Sequence, residues 1–352
     1  MQRQDGGGRA EGAESLGHGA IVLAAYRPPA DLFRVQLASI QNQTIRDFDC
    51  LITADGGAAD VEALVRDAVG DDARFRVIGY DNRLGFYANF ERGLAAVPPT
   101  ARWVALSDQD DRWYPAKLER LLPTLADRSL VSGQSRVVAQ PGERVVSQST
   151  RRKSLEPRYF VLENQFTGGS TVLRRDVLDL ALPFPQSDSA SQFHDHWLAV
   201  CAAAQAGAEV LDVVVQDYIQ HGANVIGEGE KSFSPIRSLR NALRLTYKAE
   251  RGGGPRAIAA TVYDVGVGWR EVMAAELARR VPESAVSAEL SVLFGPSRHV
   301  MMALRTLLIG VVGRKITPRA TLEYAAGLAL AGAKLVDRHT RGAGSRFAAR
   351  SQ

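Results

Sequence analysis

The chain has 352 residues, of which 45% are hydrophobic, 23% are charged and 7% are aromatic. This length allows one large domain or two modest ones, and the composition excludes collagen-like, coiled-coil and wholly disordered proteins. No apolar run approaches the roughly 20 residues of a membrane-spanning helix, and the N-terminal segment lacks the apolar core of a secretory signal. The two cysteines, Cys50 and Cys201, lie in apolar segments, so we expect a cytoplasmic protein without a disulfide framework.

The charge is unevenly distributed along the chain. The net charge is +4, but residues 232–352 alone carry 19 basic and 8 acidic residues, so the first 231 residues are net acidic. A nucleic-acid-binding protein would carry its positive charge on the main domain. The distribution instead favours an acidic catalytic body joined to a basic segment that meets something anionic, and we expect no nucleic-acid partner.

Apolar runs alternate with helical stripes from residue 21 to residue 125. Strands are predicted at Ile21–Ala25, Phe48–Thr53, Phe75–Gly79 and Trp103–Leu106, and helical stripes begin near Leu32, Val61, Phe86 and Leu118. This order predicts an α/β fold with a mostly parallel sheet and helices on both faces.

The pattern loosens after residue 128. A hairpin is predicted around Pro141-Gly142, a strand at Ser170–Arg174, a helix at Asp195–Ala206 and a strand at Glu209–Val215. We expect a disordered tail at residues 1–18, an α/β domain at 19–230 and a basic helical C-terminal region at 231–352.

Several polar residues directly follow predicted strands. Tyr26, Asp55 and the cluster Asp108–Asp111 therefore should share one rim of the sheet, where parallel sheets bind ligands. Asp108 and Asp110 lie on one side of an extended backbone, and their oxygens suit Mg²⁺ or Mn²⁺; the alternative is a solvated acidic turn. Asp55 could bind a base or ribose or merely initiate a turn, and Tyr26 could stack on a base or pack.

A second polar cluster opens the predicted helix at His194-Asp195-His196-Trp197. Asp195 could cap the helix, or it could serve as a general base whose ionised form the helix dipole favours. His221 follows the last strand in a polar loop and could complete a metal shell.

These motifs occur in a specific order along the chain. They are Ile21–Pro28, Thr53-Ala54-Asp55-Gly56, Asn82–Phe86 with Asn89-Phe90, Leu106–Trp113, Thr167-Gly168-Gly169, His194–Trp197 and Gln220–Gly227. The series resembles the family 2 glycosyltransferases of GT-A fold, and is most similar to bacterial rhamnosyltransferase-like members that build surface polysaccharides. The resemblance covers roughly residues 20–228.

The resemblance implies an inverting transfer of a sugar, such as rhamnose, from a dTDP- or UDP-linked donor to a hydroxyl of a glycan or lipid-linked acceptor. Asp195 would be the catalytic base. The donor would contact Tyr26, Asp55, Arg83, Gly85, Asn89 and Asp108. The acceptor side would comprise Gly168, Gly169, His194, His196 and Trp197. The metal ion, Mg²⁺ or Mn²⁺, would be held by Asp108, Asp110 and His221. Ala54 stands where many members carry the first of two acids, so the base preference stays open.

The basic C-terminal region allows two interpretations. Arg237, Arg240, Arg244 and Lys248 would form one helical face, and a second helix carries an apolar stripe of Met301, Leu304, Leu307, Leu308 and Val311. The region could be a helical subdomain that packs on the catalytic domain. It could also attach to the anionic cytoplasmic face of the plasma membrane, and both could hold together.

Two other functions compete with sugar transfer. A phosphoryl or nucleotidyl transferase would show a Gly-rich loop or a nucleophilic Asp after the first strand, where this chain has Tyr26-Arg27-Pro28-Pro29. A non-catalytic protein that binds a sugar nucleotide or glycan on the same fold is the other alternative, and replacement of Asp195 would distinguish it.

Overall fold

A computed structural model describes residues 17–80, 82–187, 192–221 and 255–332. Most of the expected tail, and the basic face of Arg237, Arg240, Arg244 and Lys248, lie outside these residues. The described chain divides into two compact units. Among the described residues, the first unit comprises those from 17 to 155 together with 164–184 and 193–221, and the second comprises 156–163, 185–187, 192 and 255–332.

The first unit is built on one sheet. Its strands are β1 (Gly19–Ala25), β2 (Phe48–Asp55), β3 (Phe75–Tyr80), β4 (Trp103–Ser107), β5 (Arg112–Trp113), β6 (Leu130–Ala139), β7 (Arg144–Ser147), β8 (Thr171–Arg174) and β9 (Ala208–Gln220). The helices are α1 (Ala30–Gln41), α2 (Ala58–Val69), α3 (Phe86–Ala95), α4 (Lys117–Leu121), α6 (Val177–Ala181) and α7 (His194–Ala203), while α5 (Pro157–Phe160) belongs to the second unit.

The sheet is mixed rather than mostly parallel. Its order is β3-β2-β1-β4-β8-β6-β9-β5, with β7 paired to β6. The first four strands pair in parallel, as the helical crossovers predict. Beyond them, β8 pairs antiparallel with both β4 and β6, and β7 returns on β6 through the predicted hairpin. β9 pairs in parallel with β6 and antiparallel with β5. This half of the sheet therefore combines both directions, and its antiparallel pairs need no helical crossover.

Helices pack closely against the parallel half. Ile21, Leu23 and Ala25 of β1 join the same buried cluster as Phe33 and Leu37 of α1. On α3, a side chain at Gly93 would lie 2.5 Å from Cγ1 of Val22. The helix that bears the predicted site residue Asn89 therefore lies directly on the sheet, which holds it in place.

The second unit is helical. Its helices after residue 255 are α8 (Pro255–Tyr263), α9 (Trp269–Arg280), α10 (Ala285–Phe294), α11 (Val300–Val312) and α12 (Pro318–Gly332), with one π-helical turn at Asp264–Gly268. Trp269, Leu290 and Tyr324 lie in its core. The buried Arg270 donates to the carbonyls of Leu162 and Val265, which ties residues 156–163 to this unit. Among the described residues, no helix combines the length and apolarity required to cross a membrane.

Candidate active site

The carboxyl ends of β1, β2 and β4 meet at one edge of the sheet. The register pairs Ala25 with Ala54 and Leu23 with Ser107, so Tyr26, Asp55 and Asp108 follow three adjacent strands. Gln109 links two of the loops: its Oε1 accepts from the Tyr26 amide at 2.7 Å and its Nε2 donates to the Tyr26 carbonyl. The common rim expected from the sequence is therefore present.

Tyr26 and Arg83 form an aromatic and cationic pair on this rim. The Arg83 guanidinium carbon lies 4.0 Å from the centre of the half-buried Tyr26 ring. Arg83 itself is exposed. A planar base could stack on such a pair, because both groups present flat, polarisable faces.

Asp55 holds the loop that carries Arg83. Its carboxylate is buried and accepts from the amides of Leu84 and Gly85 at 2.7 and 2.8 Å and from Arg92 at 2.8 Å. Gly85 has φ +89°, a conformation that favours glycine, and its carbonyl accepts from the Asn89 amide at the start of α3. Asp55 thus positions the donor-side loop with both of its oxygens.

Asn89 lies behind this loop rather than on the open rim. It is buried, and its side chain exchanges hydrogen bonds with Thr53, with Oδ1 accepting from the Thr53 hydroxyl and Nδ2 donating to the Thr53 carbonyl, each at 2.8 Å. Its Oδ1 also accepts from Arg92 at 2.7 Å. Asn89 therefore joins α3 to β2, and any influence on a donor is exerted through the loop.

The three acids after β4 have different surroundings. Asp110 Oδ2 lies 2.8 Å from Nε2 of His221, and both side chains are mostly buried. Asp111 is fully buried and accepts from Gln216 Nε2 at 3.1 Å and from the Ile219 amide at 3.2 Å. β9 therefore supplies partners to the acidic cluster, which excludes a simple solvated turn.

Burial, with mutual repulsion added to it, raises the pKa values of Asp108 and Asp111. Burial raises the pKa of Asp108 to about 7, and the charges of Asp110 and Asp195 act in the same direction. Burial also raises the pKa of Asp111, and the charges of Asp108 and Asp110 add to this effect. The rim thus holds more negative charge than its protein partners offset.

Lys117 is the buried cation beside these acids, and the sequence analysis did not identify it. Its Nζ donates to the Gly169 carbonyl and to Gln216 Oε1, and it lies 3.4 Å from the centre of the Trp113 ring. Burial lowers the pKa of Lys117, while Asp111 and Asp108 oppose that shift. A single lysine in a helical pattern is normally exposed, so the sequence carried no signal for it.

Gly169 lies against the same acids. A Cβ at this position would lie 2.9 Å from Asp111 Oδ2 and 3.1 Å from Asp108 Oδ2. The absence of a side chain therefore allows the backbone of the Thr167-Gly168-Gly169 segment to approach the carboxylates closely.

Asp195 stands in the first turn of α7. Its Oδ1 accepts from Asn164 Nδ2 at 3.0 Å and from the His196 amide at 2.7 Å, and its Oδ2 accepts from the Gly168 amide at 3.1 Å. Burial nevertheless raises the pKa of Asp195 to about 6. The carboxylate is therefore well oriented, and its pKa is closer to neutrality than that of an ordinary aspartate.

His194 is buried beside it with unsatisfied polar atoms. Its ring stacks on Phe90 at a centroid distance of 3.8 Å and is 7% exposed. Within the described parts of the chain, neither ring nitrogen has a hydrogen-bond partner, and burial lowers the pKa of His194 to about 3. A Cβ on Gly168 would lie 2.7 Å from Nε2. The neutral imidazole thus retains an unused donor and an unused acceptor.

The other members of this motif are in the core. Trp197 is fully buried and its Nε1 donates to the Ala181 carbonyl at 2.9 Å, and the His196 side chain is also buried. The expected acceptor-side role of Trp197 is corrected here: the indole packs α7 against α6 and offers no surface to an acceptor. The motif combined core and site residues because a helix start presents adjacent residues in different directions.

A buried ion-pair cluster supports β9 and was also not identified from the sequence. Asp217 accepts from Arg136 Nε at 2.7 Å, from Arg112 Nη2 at 2.6 Å and from the Tyr114 hydroxyl at 2.8 Å. Its carboxylate is fully buried. Burial alone would raise the pKa of Asp217, but these three partners together lower it.

The donor set of the rim is chemically suited to a divalent cation. Among the described residues, no group of three or more His, Cys, Asp or Glu side chains is arranged to hold a metal ion. Mg²⁺ and similar ions, however, commonly take one or two carboxylates and complete their shell with substrate phosphates and water. Asp110 and Asp108 supply oxygens, His221 supplies nitrogen, and the repulsion at Asp108 is what a cation would offset.

Part of the chain is similar in sequence to known glycosyltransferases. Residues 20–179 match the Glycosyl transferase family 2 model. An uncharacterized glycosyltransferase of Methanocaldococcus jannaschii is 28% identical over 102 residues, which cover 29% of this chain and about a third of that relative.

Two solved structures are similar over most of their length. A mannosyltransferase from Pyrobaculum calidifontis, in complex with GDP-Man and Mn²⁺, is 17% identical with a TM-score of 0.46, covering 91% of this chain and 88% of that one. Residues 1–349 of S. aureus TarS, in complex with UDP-GlcNAc, are 13% identical with a TM-score of 0.46, covering 92% of each chain. These likenesses are too weak to carry an argument. Residues 20–179, a little under half of the chain, match the glycosyl transferase family 2 model, and this match supports a transferase enzyme.

Proposed function

We propose that the protein is a metal-dependent inverting glycosyltransferase that moves a sugar from a nucleoside-diphosphate donor to an acceptor hydroxyl. One observation carries the proposal: the Asp195 carboxylate is held by three hydrogen bonds, has a pKa raised to about 6, and is close enough to Asp108 to raise the pKa of that acid. A base and an acidic, cation-seeking rim are the two parts that such a transfer needs.

The donor side is assigned to the β1, β2 and β4 loops. The nucleoside base would lie against Tyr26 and Arg83, and Asp55 and Gly85 would set the loop that carries Arg83. Asp108 would meet the ribose side of the donor. Asn89 contributes by holding α3 to β2. The thermal-shift screen of nucleotide sugars distinguishes a dTDP-linked donor from a UDP-linked one.

The metal is assigned to Asp110, His221 and Asp108. Bound Mn²⁺ or Mg²⁺ would stabilise the negative charge of the leaving diphosphate. In this assignment the Asp110–His221 pair orients the ligand atoms, and Lys117 offsets part of the remaining charge from behind.

The transfer itself needs one base. The acceptor oxygen forms a bond to the anomeric carbon while the bond from that carbon to the diphosphate oxygen breaks, and the diphosphate leaves with the bonding electrons. The acceptor proton passes to Asp195. Attack from the face opposite the leaving group inverts the anomeric configuration, and no covalent enzyme intermediate is required.

The acceptor side is assigned to Gly168, Gly169 and His194. The unpartnered nitrogens of His194 support this, since a neutral imidazole can both donate to and accept from a sugar hydroxyl. The proposed acceptor is a glycan or lipid-linked glycan of a cell-surface polysaccharide, the proposed sugar is rhamnose, and the proposed location is the cytoplasmic face of the membrane, with peripheral contact. The basic C-terminal region supports that location.

The test is a thermal-shift screen of nucleotide sugars with and without Mn²⁺, followed by turnover with the stabilising donor. We expect one donor to raise the melting temperature only in the presence of metal. Asp195→Asn should keep that shift and lose turnover by roughly 10²–10⁴-fold, whereas Asp212→Asn, at an exposed position, should keep both.

Three results would contradict the proposal. If no donor changed the melting temperature, the proposed donor site would be wrong. If a donor stabilised the protein without metal, the proposed metal dependence would be wrong. If Asp195→Asn kept its turnover, Asp195 would not be the base, and a binding protein on the same fold would be favoured.

A further inference from the structure

Helix α11 (Val300–Val312) is apolar on both of its sides. Its inward side carries Ala303, Thr306, Leu307 and Gly310, which are buried at the spacing of one helical stripe. The sequence analysis placed the apolar stripe on Met301, Leu304, Leu307, Leu308 and Val311, but of these only Leu307 is among the buried residues. The rest of that stripe therefore does not account for the packing of the helix.

The outward side of α11 is exposed although it is apolar. We call the following seven residues the α11 face. They are Val300, Met301, Met302, Leu304, Leu308, Ile309 and Val312, and they are 41–74% exposed. A helix that is apolar all round is ordinarily buried, and contiguous apolar surface of this kind marks an interaction site.

Positive charge surrounds the α11 face. Residues 295–322 include five basic residues and no acidic residue. Within the unit, Arg298 pairs with Glu271, Lys315 with Glu156, and Arg319 with Glu323. Arg305, which lies among the apolar side chains, and Arg314, just beyond the helix, are both exposed. An apolar face bordered by guanidinium groups complements an anionic lipid surface.

The charge and length of the helix fit the surface of a bilayer. The α11 face holds Met, Leu, Ile and Val with the exposed Arg305 among them, a combination suited to a helix that lies in the interface of an anionic membrane. With 13 residues the helix is about 20 Å long, shorter than the roughly 30 Å core of a bilayer. It can therefore lie along a membrane but not cross one.

A cavity of about 520 Å³ in the same unit opens beside this face. Val292, Met302 and Ile309 line it with hydrocarbon. Arg158 pairs with Glu289 at 2.9 Å on its wall, and Arg305 contributes a further guanidinium group. Met302, Arg305 and Ile309 belong to α11 itself, so the cavity is continuous with the face. Hydrocarbon walls with cationic groups fit an acyl chain that carries an anionic headgroup.

We propose that the α11 face docks the protein on a bilayer that contains anionic lipids, with Met301 and Leu308 among the acyl chains and Arg305 and Arg314 at the headgroups. The inference rests on the membrane contact proposed above but not on sugar transfer. Vesicle binding needs neither donor nor metal, so the two proposals can fail separately.

The first test is flotation of the full chain with vesicles. Vesicles of phosphatidylcholine mixed with an equal amount of phosphatidylglycerol should bind the protein, and vesicles of phosphatidylcholine alone should bind it more weakly. Met301→Glu with Leu308→Glu should lower the affinity roughly a hundredfold. Arg305→Gln with Arg314→Gln should lower it roughly tenfold on the anionic vesicles.

A matched control comes from the other unit. Val145 and Val146 of β7 are 40% and 43% exposed, so Val145→Glu with Val146→Glu introduces the same charges at a different apolar surface and should leave binding unchanged. Met301 and Leu308 are 69% and 63% exposed, so their replacement should preserve the fold, which circular dichroism checks.

The second test locates the contact directly. Cys50 and Cys201 are both buried, so Leu308→Cys provides an accessible thiol for an environment-sensitive dye. The dye at residue 308 should shift to the blue and be quenched by brominated lipid on vesicle addition, whereas a dye on Val146→Cys should not respond.

Three outcomes would overturn the inference. The wild type could fail to bind the anionic vesicles. The Met301→Glu/Leu308→Glu variant could bind them as tightly as the wild type. The dye at residue 308 could show neither a blue shift nor quenching when vesicles are added. Self-association of the wild type that the same double substitution abolishes, without vesicle binding, would assign the face to a second copy of the chain instead.

Discussion

Nε2 of His221 lies 2.8 Å from Oδ2 of Asp110, although 110 intervening residues separate the two in the chain. β9 ends at Gln220, directly before His221, and pairs with β5, which directly follows the acidic cluster. The end of the last strand thus delivers an imidazole to the acids that follow β4. This pairing makes His221 a part of the acidic rim.

We expect His221→Ala to weaken metal-dependent donor binding. Loss of the imidazole removes a nitrogen donor and releases Asp110 from its orientation, and loss of such a group typically costs 10–100-fold in metal affinity. The Mn²⁺ concentration that gives half of the donor-induced thermal shift should rise by at least roughly tenfold.

The control for this change is His299→Ala, at an exposed position of the second unit, which should leave the Mn²⁺ requirement unchanged. An unaltered Mn²⁺ dependence in His221→Ala would show that the Asp110 pair only supports the fold.

We expect turnover to fall on the acid side of neutrality. Burial raises the pKa of Asp195 to about 6, and a base works only when ionised, so the rate decreases as the pH drops through that value. The kcat/KM for the acceptor, measured at saturating donor, should fall about tenfold per pH unit below about 6.

If kcat/KM instead fell with a midpoint near pH 4, where an ordinary aspartate titrates, this would argue against Asp195 as the base. Donor binding, followed by thermal shift over the same pH range, separates this effect from protonation of Asp108, because Asp195 should affect turnover and Asp108 should affect binding.

We expect Gly169→Ala to impair the rim. The new methyl carbon would lie 2.9 Å from Asp111 Oδ2 and 3.1 Å from Asp108 Oδ2, so the backbone or the carboxylates must shift. Stability should fall by about 1–3 kcal/mol, and donor affinity should fall with it, as measured by thermal melts and by donor titration below the melting temperature.

Gly310→Ala is the matched control, because its methyl would be equally crowded, at 3.0 Å from Ile316 and 3.1 Å from Tyr159, but by hydrocarbon in the second unit. It should lower stability without affecting donor affinity. Equal donor affinity in both variants would place Gly169 outside the binding machinery.

We expect the Asp217 cluster to make stability depend on pH. Burial by itself raises the pKa of Asp217, but Arg136, Arg112 and Tyr114 lower it below the value in the unfolded chain. The contribution is therefore present above the unfolded pKa of about 4 and is lost as the pH falls through the lower folded value. Asp217→Asn should cost about 1–3 kcal/mol at neutral pH, because the charged hydrogen bonds to Arg136 and Arg112 are weakened while these two side chains, 32% and 38% exposed, stay partly hydrated.

The difference in the free energy of unfolding between wild type and Asp217→Asn should become smaller as the pH falls into the acid range. Asp31→Asn, which removes an exposed partner of Arg34, should cost less than about 1 kcal/mol at any pH. Urea unfolding across the acid range measures both. A constant difference between wild type and Asp217→Asn would contradict the lowered pKa.

Local periodicity was sufficient for the first half of the fold. The apolar run Ile21–Ala25 and the stripe through Phe33 and Leu37 became β1 and α1 because neighbouring residues alone set these patterns. The antiparallel pairing of β8 with β4 and β6 could not be predicted in the same way, since it depends on contacts between segments far apart in sequence.

For the site, the sequence identified which residue types lie near the strand ends, and only the tertiary structure determined which of them are buried, paired or exposed. Adjacent acids after a strand indicated a charged rim, and this required only knowledge of where parallel strands end. Asp55 became a loop anchor, Trp197 a core residue and Lys117 a buried counter-charge only when distant segments met. Burial and pairing depend on what packs against a residue, and that is decided by the whole chain rather than by its neighbours.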